Sequence, residues 1–272
     1  MSIILGIDVG GSTTKIVGFL SDKTLVDTVQ VKAGDQITSM YGAIGSFLRK
    51  AQLSLKDVSK IVLTGVGASY FQEDIYDIPT VKMEEFQAIG YGGLKLSGLT
   101  DALVVSMGTG TAYVRAGKDG MKHIGGSGVG GGTLMGLASR LVNENDFSVI
   151  TDLASKGNLQ KVDLSIQDIS NAIIPSLPPH ATASNFGKIE NTADSADFAL
   201  GLLNMLYQTV GMLAVFACLD TPVRDIVLTG SLAHVPQAKT VFNELSHMHS
   251  VNFIIPHNAV FATAIGATVP YL

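Results

Sequence analysis

The chain has 272 residues, 46% of them hydrophobic and 15% charged, with a formal net charge of −5 at pH 7. That length gives one large domain or two ordinary ones, and the apolar share supplies a sizeable core. The acidic balance and the lack of a long basic block exclude nucleic acid as the main partner, so an anionic ligand would have to be held locally by backbone N–H groups and a few cations.

The first twenty residues read as a strand, a turn and a strand. Ile3, Ile4, Leu5 and Ile7 form an apolar run that ends at Asp8, and Gly10-Gly11-Ser12 make a tight turn. Thr14, Ile16, Val17 and Phe19 then resume an extended pattern. No GxGxxG fingerprint is present and no helix follows, so this is not a Rossmann turn. MSIILGIDVGG also lacks the basic start and cleavage site of a signal peptide. A third strand is expected over Leu25–Val31, and an amphipathic helix over Ser39–Ala51, where Met40, Ile44, Phe47 and Leu48 share a face. Ile61–Thr64 reads as a short buried strand.

Val81–Leu96 reads as helical in its first half, with Met83, Phe86 and Ile89 each three residues apart. Gly90, Gly92 and Gly93 argue against helix beyond that point. Glu84 and Glu85 fall in the first turns. The opening pattern then recurs: Leu103–Val105 run into Gly108-Thr109-Gly110-Thr111, and Ala112–Arg115 resume. Asp225–Ala233, DIVLTGSLA, gives another strand ending in a Gly-Ser turn, and His257–Ala267 begins a closing helix. The chain thus has two weakly related halves, divided near Ser97–Thr100 into domains 1–98 and 99–272.

Between the repeats, Asn143–Ser195 reads as helices and loops, with Ile174–His180 a proline-punctuated connection. Phe198–Leu219 carries no charge and is long enough to span a bilayer. Asn204, Gln208, Thr209 and the lack of a flanking Lys/Arg cluster make it a buried helix instead, with no membrane partner. The single cysteine, Cys218, sits in this run as a small core residue. It rules out a disulfide framework or a cysteine-held cluster within one chain and fits a reducing cytoplasm.

One glycine hairpin taken alone is an ordinary turn. Two of matching build offer backbone N–H groups and hydroxyls unobstructed by side chains, which suits phosphate oxygens. In the first, Asp8 adds a carboxylate fit for Mg²⁺, directly or through water, and Lys15 adds a cation. The second repeats the donors without the cation. The run from Gly125 to Gly132 leads straight into TLMGLASRLV, so its glycines Gly130, Gly131 and Gly132 read as a helix N-terminus, opened by Thr133, that approaches phosphates.

Gly6–Lys15, Val104–Ala112 and Asp225–Ala233, in this order, resemble the two phosphate motifs and the adenosine motif of the superfamily of sugar kinases, actin and heat-shock chaperone ATPases. Met83–Gly93, GGSGVGGGTLMGL (Gly125–Leu137) and Ala181–Ile189 narrow the resemblance to type II pantothenate kinases. The resemblance implies a two-domain α/β actin-like (ribonuclease H-like) fold with mixed sheets and ATP in the cleft between domains. It implies ATP-dependent phosphorylation of pantothenate at the start of coenzyme A synthesis, with Mg²⁺, a homodimer built partly on Asp197–Leu219, and regulation by acyl-coenzyme A.

Carried over by position, the resemblance makes Glu85 the general base, ahead of Glu84, and Lys15 a catalytic cation. Nucleotide would meet Asp8, Gly10, Gly11, Ser12, Thr13, Thr14 and Lys15 in the first motif, and Gly108, Thr109, Gly110 and Thr111 in the second. It would also meet Gly130–Thr133 with Leu134 and Met135, Phe147 near the adenine, and Gly230 and Ser231. Substrate would meet Glu85, His123, Gly125 and Gly126. His123 stands where the family carries an arginine, and neutral imidazole cannot make a bidentate contact. Lys122 should point to the other face of its strand, and Asn252–Asn258 lacks a tyrosine expected of bacterial members. A kinase of pantetheine or an N-acetylhexosamine, or a non-catalytic nucleotide-binding regulator, remains as an alternative. The lone Cys218 argues against a cluster-holding dehydratase activator.

Overall fold

The computed structural model describes residues 2–172, 174 and 177–272. The proline-punctuated connection expected over 174–180 therefore lies partly outside the described residues, at 175 and 176. In chain order the elements are β1 (Ile3–Val9), β2 (Thr13–Leu20), β3 (Leu25–Lys32), α1 (Gln36–Ala51), β4 (Val58–Thr64), β5 (Thr80–Lys82) and α2 (Glu85–Ser97). There follow β6 (Ala102–Met107), β7 (Thr111–Gly117), β8 (Gly120–Ser127), α3 (Gly131–Leu141), α4 (Phe147–Ala154), β9 (Leu164–Ser165), α5 (Ile166–Ile169), β10 (Thr182–Ser184) and α6 (Ser195–Cys218). The chain closes with β11 (Asp225–Thr229), α7 (Pro236–His249), β12 (Asn252–Ile254) and α8 (Ala262–Thr268).

Two five-stranded mixed sheets repeat one plan. The first runs β3-β2-β1-β4-β5 and the second β8-β7-β6-β11-β12. In each, the first strand of an antiparallel meander pairs in parallel with a later strand, which in turn pairs in parallel with a short edge strand. Strand alternation sorts the faces. Ile3, Leu5, Ile7 and Val9 of β1 join α1 in one core, whereas Ile4 and Gly6 face α8. In β6, Leu103, Val105 and Met107 pack toward α6, and Ala102 and Val104 toward α2.

The layers run α1, first sheet, α8 with α2, second sheet, α6. Each sheet is drawn from one side of Gly98, but α2 packs mainly on the second sheet and α8 on the first. The two helices touch backbone to backbone. A Cβ on Gly92 would lie 1.9 Å from the Ala262 carbonyl oxygen, and one on Gly266 would lie 1.8 Å from that of Ala88.

This contact explains a departure from the sequence reading of Val81–Leu96. The first residues of that stretch form β5, and the glycine-bearing part is the helix. Glycine costs a helix about 1 kcal/mol against alanine in isolation. Here Gly90 fits against Met121, Gly92 against α8 and Gly93 against Val104, so packing overrides propensity. Two other boundaries move. α1 starts earlier than Ser39 because Asp35 caps it, accepting from Thr38 N at 2.8 Å. The closing helix begins at Ala262, after a single tight turn over Ala259–Phe261.

α6 is long and apolar enough to cross a membrane by length and composition, yet 61% of its most apolar window is buried within the fold. Cys218 at its end is buried and free.

Candidate active site

The first hairpin brings Asp8 opposite Lys15 in the β1–β2 ladder. Both are 7% exposed, and Lys15 Nζ lies 3.9 Å from Asp8 Oδ2, an ion-pair distance too long for a hydrogen bond. Burial raises the Asp8 carboxyl above the usual carboxylate range, and the Lys15 charge opposes that rise. The tip above them is open. Gly10 N donates to Thr13 O at 3.0 Å, while Gly11 and Ser12 are exposed. Thr14 is the ladder partner of Val9, so its hydroxyl lies on the α1 face, away from Asp8 and Lys15.

The two neighbouring glutamates separate cleanly. Glu84 caps α2, its Oε2 accepting from Gln87 N at 2.8 Å. Glu85, the first helical residue, is half-buried and makes no hydrogen bond or ion pair with the described residues. Its carboxyl is pushed up first by burial, then by the charges of Asp8 and Glu84, and is drawn down by Lys15. Glu85 therefore shares one electrostatic neighbourhood with the Asp8–Lys15 pair.

The second hairpin is uncharged and is backed by the glycine run. Gly131 N donates to Gly108 O at 2.8 Å and Gly132 N to Thr109 O at 2.8 Å. Those two N–H groups at the start of α3 are thus paired with the second hairpin, and the glycines allow that close approach. A Cβ on Gly130 would lie 2.6 Å from Thr109 O and 2.7 Å from Gly110 Cα. Thr111 Oγ1 ties the same layer down by donating to Val129 O at 2.8 Å. Thr133 Oγ1 donates to Gly128 O at 2.7 Å. The two hairpin tips meet: Ser12 Oγ and Thr109 Oγ1 are hydrogen-bonded at 2.8 Å.

Gly230 has φ +90° and a Cβ there would lie 2.4 Å from Met107 O, so the third motif abuts the root of the second hairpin. Ser231 beside it is half-buried. Immediately beyond Ala233 opens a cavity of about 570 Å³, with Phe242, Phe253 and Ile255 among its apolar walls and His234, Lys239 and His257 among its polar ones. These residues were not picked out by sequence reading, because β12 and the first turns of α7 converge only in the fold. Leu134 is buried in the core of the second layer, and Met135 and Phe147, both partly buried, pack against that core. Asp146, next to Phe147, reaches Lys32 of β3 at 3.9 Å across the two layers.

On β8, His123 lies flat on Phe86, with ring centroids 3.8 Å apart and 4° between planes. Phe86 follows Glu85 directly, so the stack stands beside the candidate base. Gly126 lies next to His123, and Gly125 pairs with Tyr113. Lys122 pairs with Arg115 on the other face, and Arg115 is engaged by Asp101 at 2.9 Å.

Residues 96–262 match the Fumble family model. The chain belongs to the Fumble family. This is the type II pantothenate kinase family that the glycine run suggested. The type II pantothenate kinase of Staphylococcus aureus strain USA300 is 28% identical, with 97% of each chain covered. That of the bovine strain RF122 is 27% identical over the same shares. Among solved structures, component A of the (R)-2-hydroxyglutaryl-CoA dehydratase of Acidaminococcus fermentans superposes with a TM-score of 0.70 at 19% identity, covering 99% of this chain and 97% of that one. The activator of the 2-hydroxyisocaproyl-CoA dehydratase of Clostridium difficile, with bound ADPNP, gives 0.70 at 16%, covering 98% and 93%. At these identities the likeness is one of fold, and the Fumble-family chain has the actin-like ATPase architecture.

Proposed function

We propose that the protein transfers the γ-phosphoryl group of ATP to the primary hydroxyl of pantothenate. The observation that carries this reading is Glu85. It is a half-buried carboxylate without a partner, raised in pKa, beside the Asp8–Lys15 pair and below two touching glycine hairpins. The names of the Staphylococcus aureus relatives support the acceptor.

Glu85 takes the hydroxyl proton as the new O–P bond forms and the bond to ADP breaks; the proton then leaves to solvent. Phosphoryl transfer draws mainly on positioning and charge neutralisation. Lys15 and the backbone donors around Gly10–Thr13 and Gly108–Thr111 supply these. Among the described residues no three His, Cys, Asp or Glu side chains gather into a metal cage. That suits Mg²⁺, which is commonly held by one or two carboxylates with the substrate's own phosphates, and the buried Asp8 is the residue to hold it. Mg²⁺ would neutralise phosphate charge there. The 570 Å³ cavity beyond Ala233 would seat the nucleoside. Leu213, Phe216 and Leu219 form an exposed apolar stripe at the end of α6, Phe216 being 57% exposed, which supports a homodimer.

A second reading concerns the acceptor. The His123–Phe86 stack offers a flat aromatic surface where a carboxylate would want a bidentate cation, which favours an uncharged relative such as pantetheine. Labelled ATP offered with pantothenate, pantetheine and N-acetylglucosamine tests both readings. Transfer to pantothenate is expected, with Glu85→Gln slower by roughly 10²- to 10⁴-fold. Preference for pantetheine selects the second reading. Heat stabilisation by ATP without transfer to any acceptor would make the protein a nucleotide-binding regulator.

A further inference from the structure

Thr64 closes β4 directly beside Asp8, its ladder partner in the parallel β1–β4 pair. Partners in register point to the same face, so Thr64, Asp8 and Lys15 line one patch. Met83 N donates to Leu63 O at 2.8 Å, which holds the approach to Glu85 against this end of β4. Thr64 is 0% exposed, and its hydroxyl oxygen has no hydrogen-bond partner. A buried hydroxyl left unpaired is destabilising, so a partner is expected for it. The same patch holds three further polar groups with no hydrogen bond among the described residues: the Asp8 carboxylate, the Lys15 ammonium at 3.9 Å from it, and the Glu85 carboxylate.

The next residue, Gly65, sharpens the geometry. It has φ +86°, and a Cβ there would fall 2.5 Å from Asp8 Oδ1. The strand end is shaped to let the Asp8 carboxylate lie over it. A buried water needs two to four polar partners, and these groups supply them.

We propose that Thr64 is a positioning residue of the transfer site: its hydroxyl and the Asp8 carboxylate share one buried water, which fixes the carboxylate where it meets the loaded nucleotide. The inference rests on the proposed phosphoryl transfer for its kinetic consequence, but not for the water itself.

Thr64→Val and Thr64→Ser test it. The valine variant keeps the shape and removes the hydroxyl's hydrogen bond to the shared water, so its melting temperature should fall slightly while the fold is kept. Its kcat should fall roughly 10- to 100-fold, as for a hydrogen bond to a charged group, with KM for ATP changed by less than about threefold. The serine variant should restore most of the rate. Full activity in Thr64→Val overturns the proposal, as does an equal loss of activity and stability in both variants. A crystal structure of the parent protein tests the water independently of any acceptor. One ordered water within hydrogen-bond reach of Thr64 Oγ1 and Asp8 supports the proposal even if pantothenate is not the substrate. A direct bond from Thr64 to Asp8 or to a strand carbonyl overturns it.

Discussion

The first and second glycine hairpins occupy the same place in matching sheets, yet they differ in charge and in what lies behind them. Asp8 and Lys15 stand at the root of the first, buried and 3.9 Å apart, below an exposed tip. The second has no charged residue from Ser106 to Tyr113, and α3 closes over it through Gly131 N and Gly132 N. The repeated fold supplies two donor loops. Charge handling is confined to one, and rigid backing to the other. If phosphates sit between the loops, as proposed, the repeated sheet places both loops beside them and charge stands at only one.

The largest difference between the loops should come from their charges. Lys15→Met should lower kcat by roughly 10²- to 10³-fold, the scale of losing one preorganised electrostatic contact. Thr109→Val in the second loop should cost less than about tenfold, since an ordinary neutral hydrogen bond carries about 1 kcal/mol. Steady-state kinetics with saturating acceptor decides it, and equal losses would mean that the loops share the charge of the transfer. The backing of the second loop should show in stability. Gly130→Ala forces a Cβ to 2.6 Å from Thr109 O and should destabilise by about 1–3 kcal/mol in urea unfolding, as overpacking does. Gly11→Ala meets its nearest neighbour, Thr109 Oγ1, at 3.6 Å. Its stability should stay within about 0.5 kcal/mol of the parent, as for other surface substitutions.

Much of this architecture was legible in local sequence. Apolar runs ending at the glycine turns after Asp8 and at Gly108 give both hairpins, and their recurrence gives two related halves, whereas the mixed sheets follow from the family resemblance. What stayed hidden depends on distant partners. The glycines of α2 looked like helix breakers because Ala262 and Val104, which they fit against, lie far along the chain. Glycines 130–132 read as bare backbone for close approach, but nothing local shows that Gly108 and Thr109 accept from two of their N–H groups. Thr64 read as the end of a strand, since only the β1–β4 register puts it beside Asp8. His123 was visible as an unexpected residue, but its seat on Phe86 was not.

Charge at the first hairpin also reaches α2, which gives a smaller test. Asp8 and Glu84 both push the Glu85 carboxyl upward. A base must be ionised to act, so the acid limb of kcat should lie above the usual carboxylate range. Glu84→Gln removes one negative neighbour and keeps an oxygen able to cap Gln87 N. Ionisation of Glu85 becomes easier, so the acid limb should move to lower pH. A kcat–pH profile that does not move would separate Glu85 from the rate-determining proton transfer.

The smallest expected effect lies where the two hairpins meet. Ser12 and Thr109 share one exposed hydrogen bond of 2.8 Å, linking residues 97 positions apart. Exposed neutral bonds contribute at the low end of the 0.5–1.5 kcal/mol range, so Ser12→Ala and Thr109→Val should be coupled by about 0.5 kcal/mol in a double-mutant cycle on the free protein. A phosphate chain seated between the tips would occupy the donors that now face each other. The coupling should therefore vanish when the same cycle is measured with saturating non-hydrolysable ATP analogue. Coupling that survives nucleotide would place the phosphates away from the junction. The two loops would then act as one clamp, and the difference between them would end at the roots of the hairpins, where Asp8 and Lys15 have no counterpart.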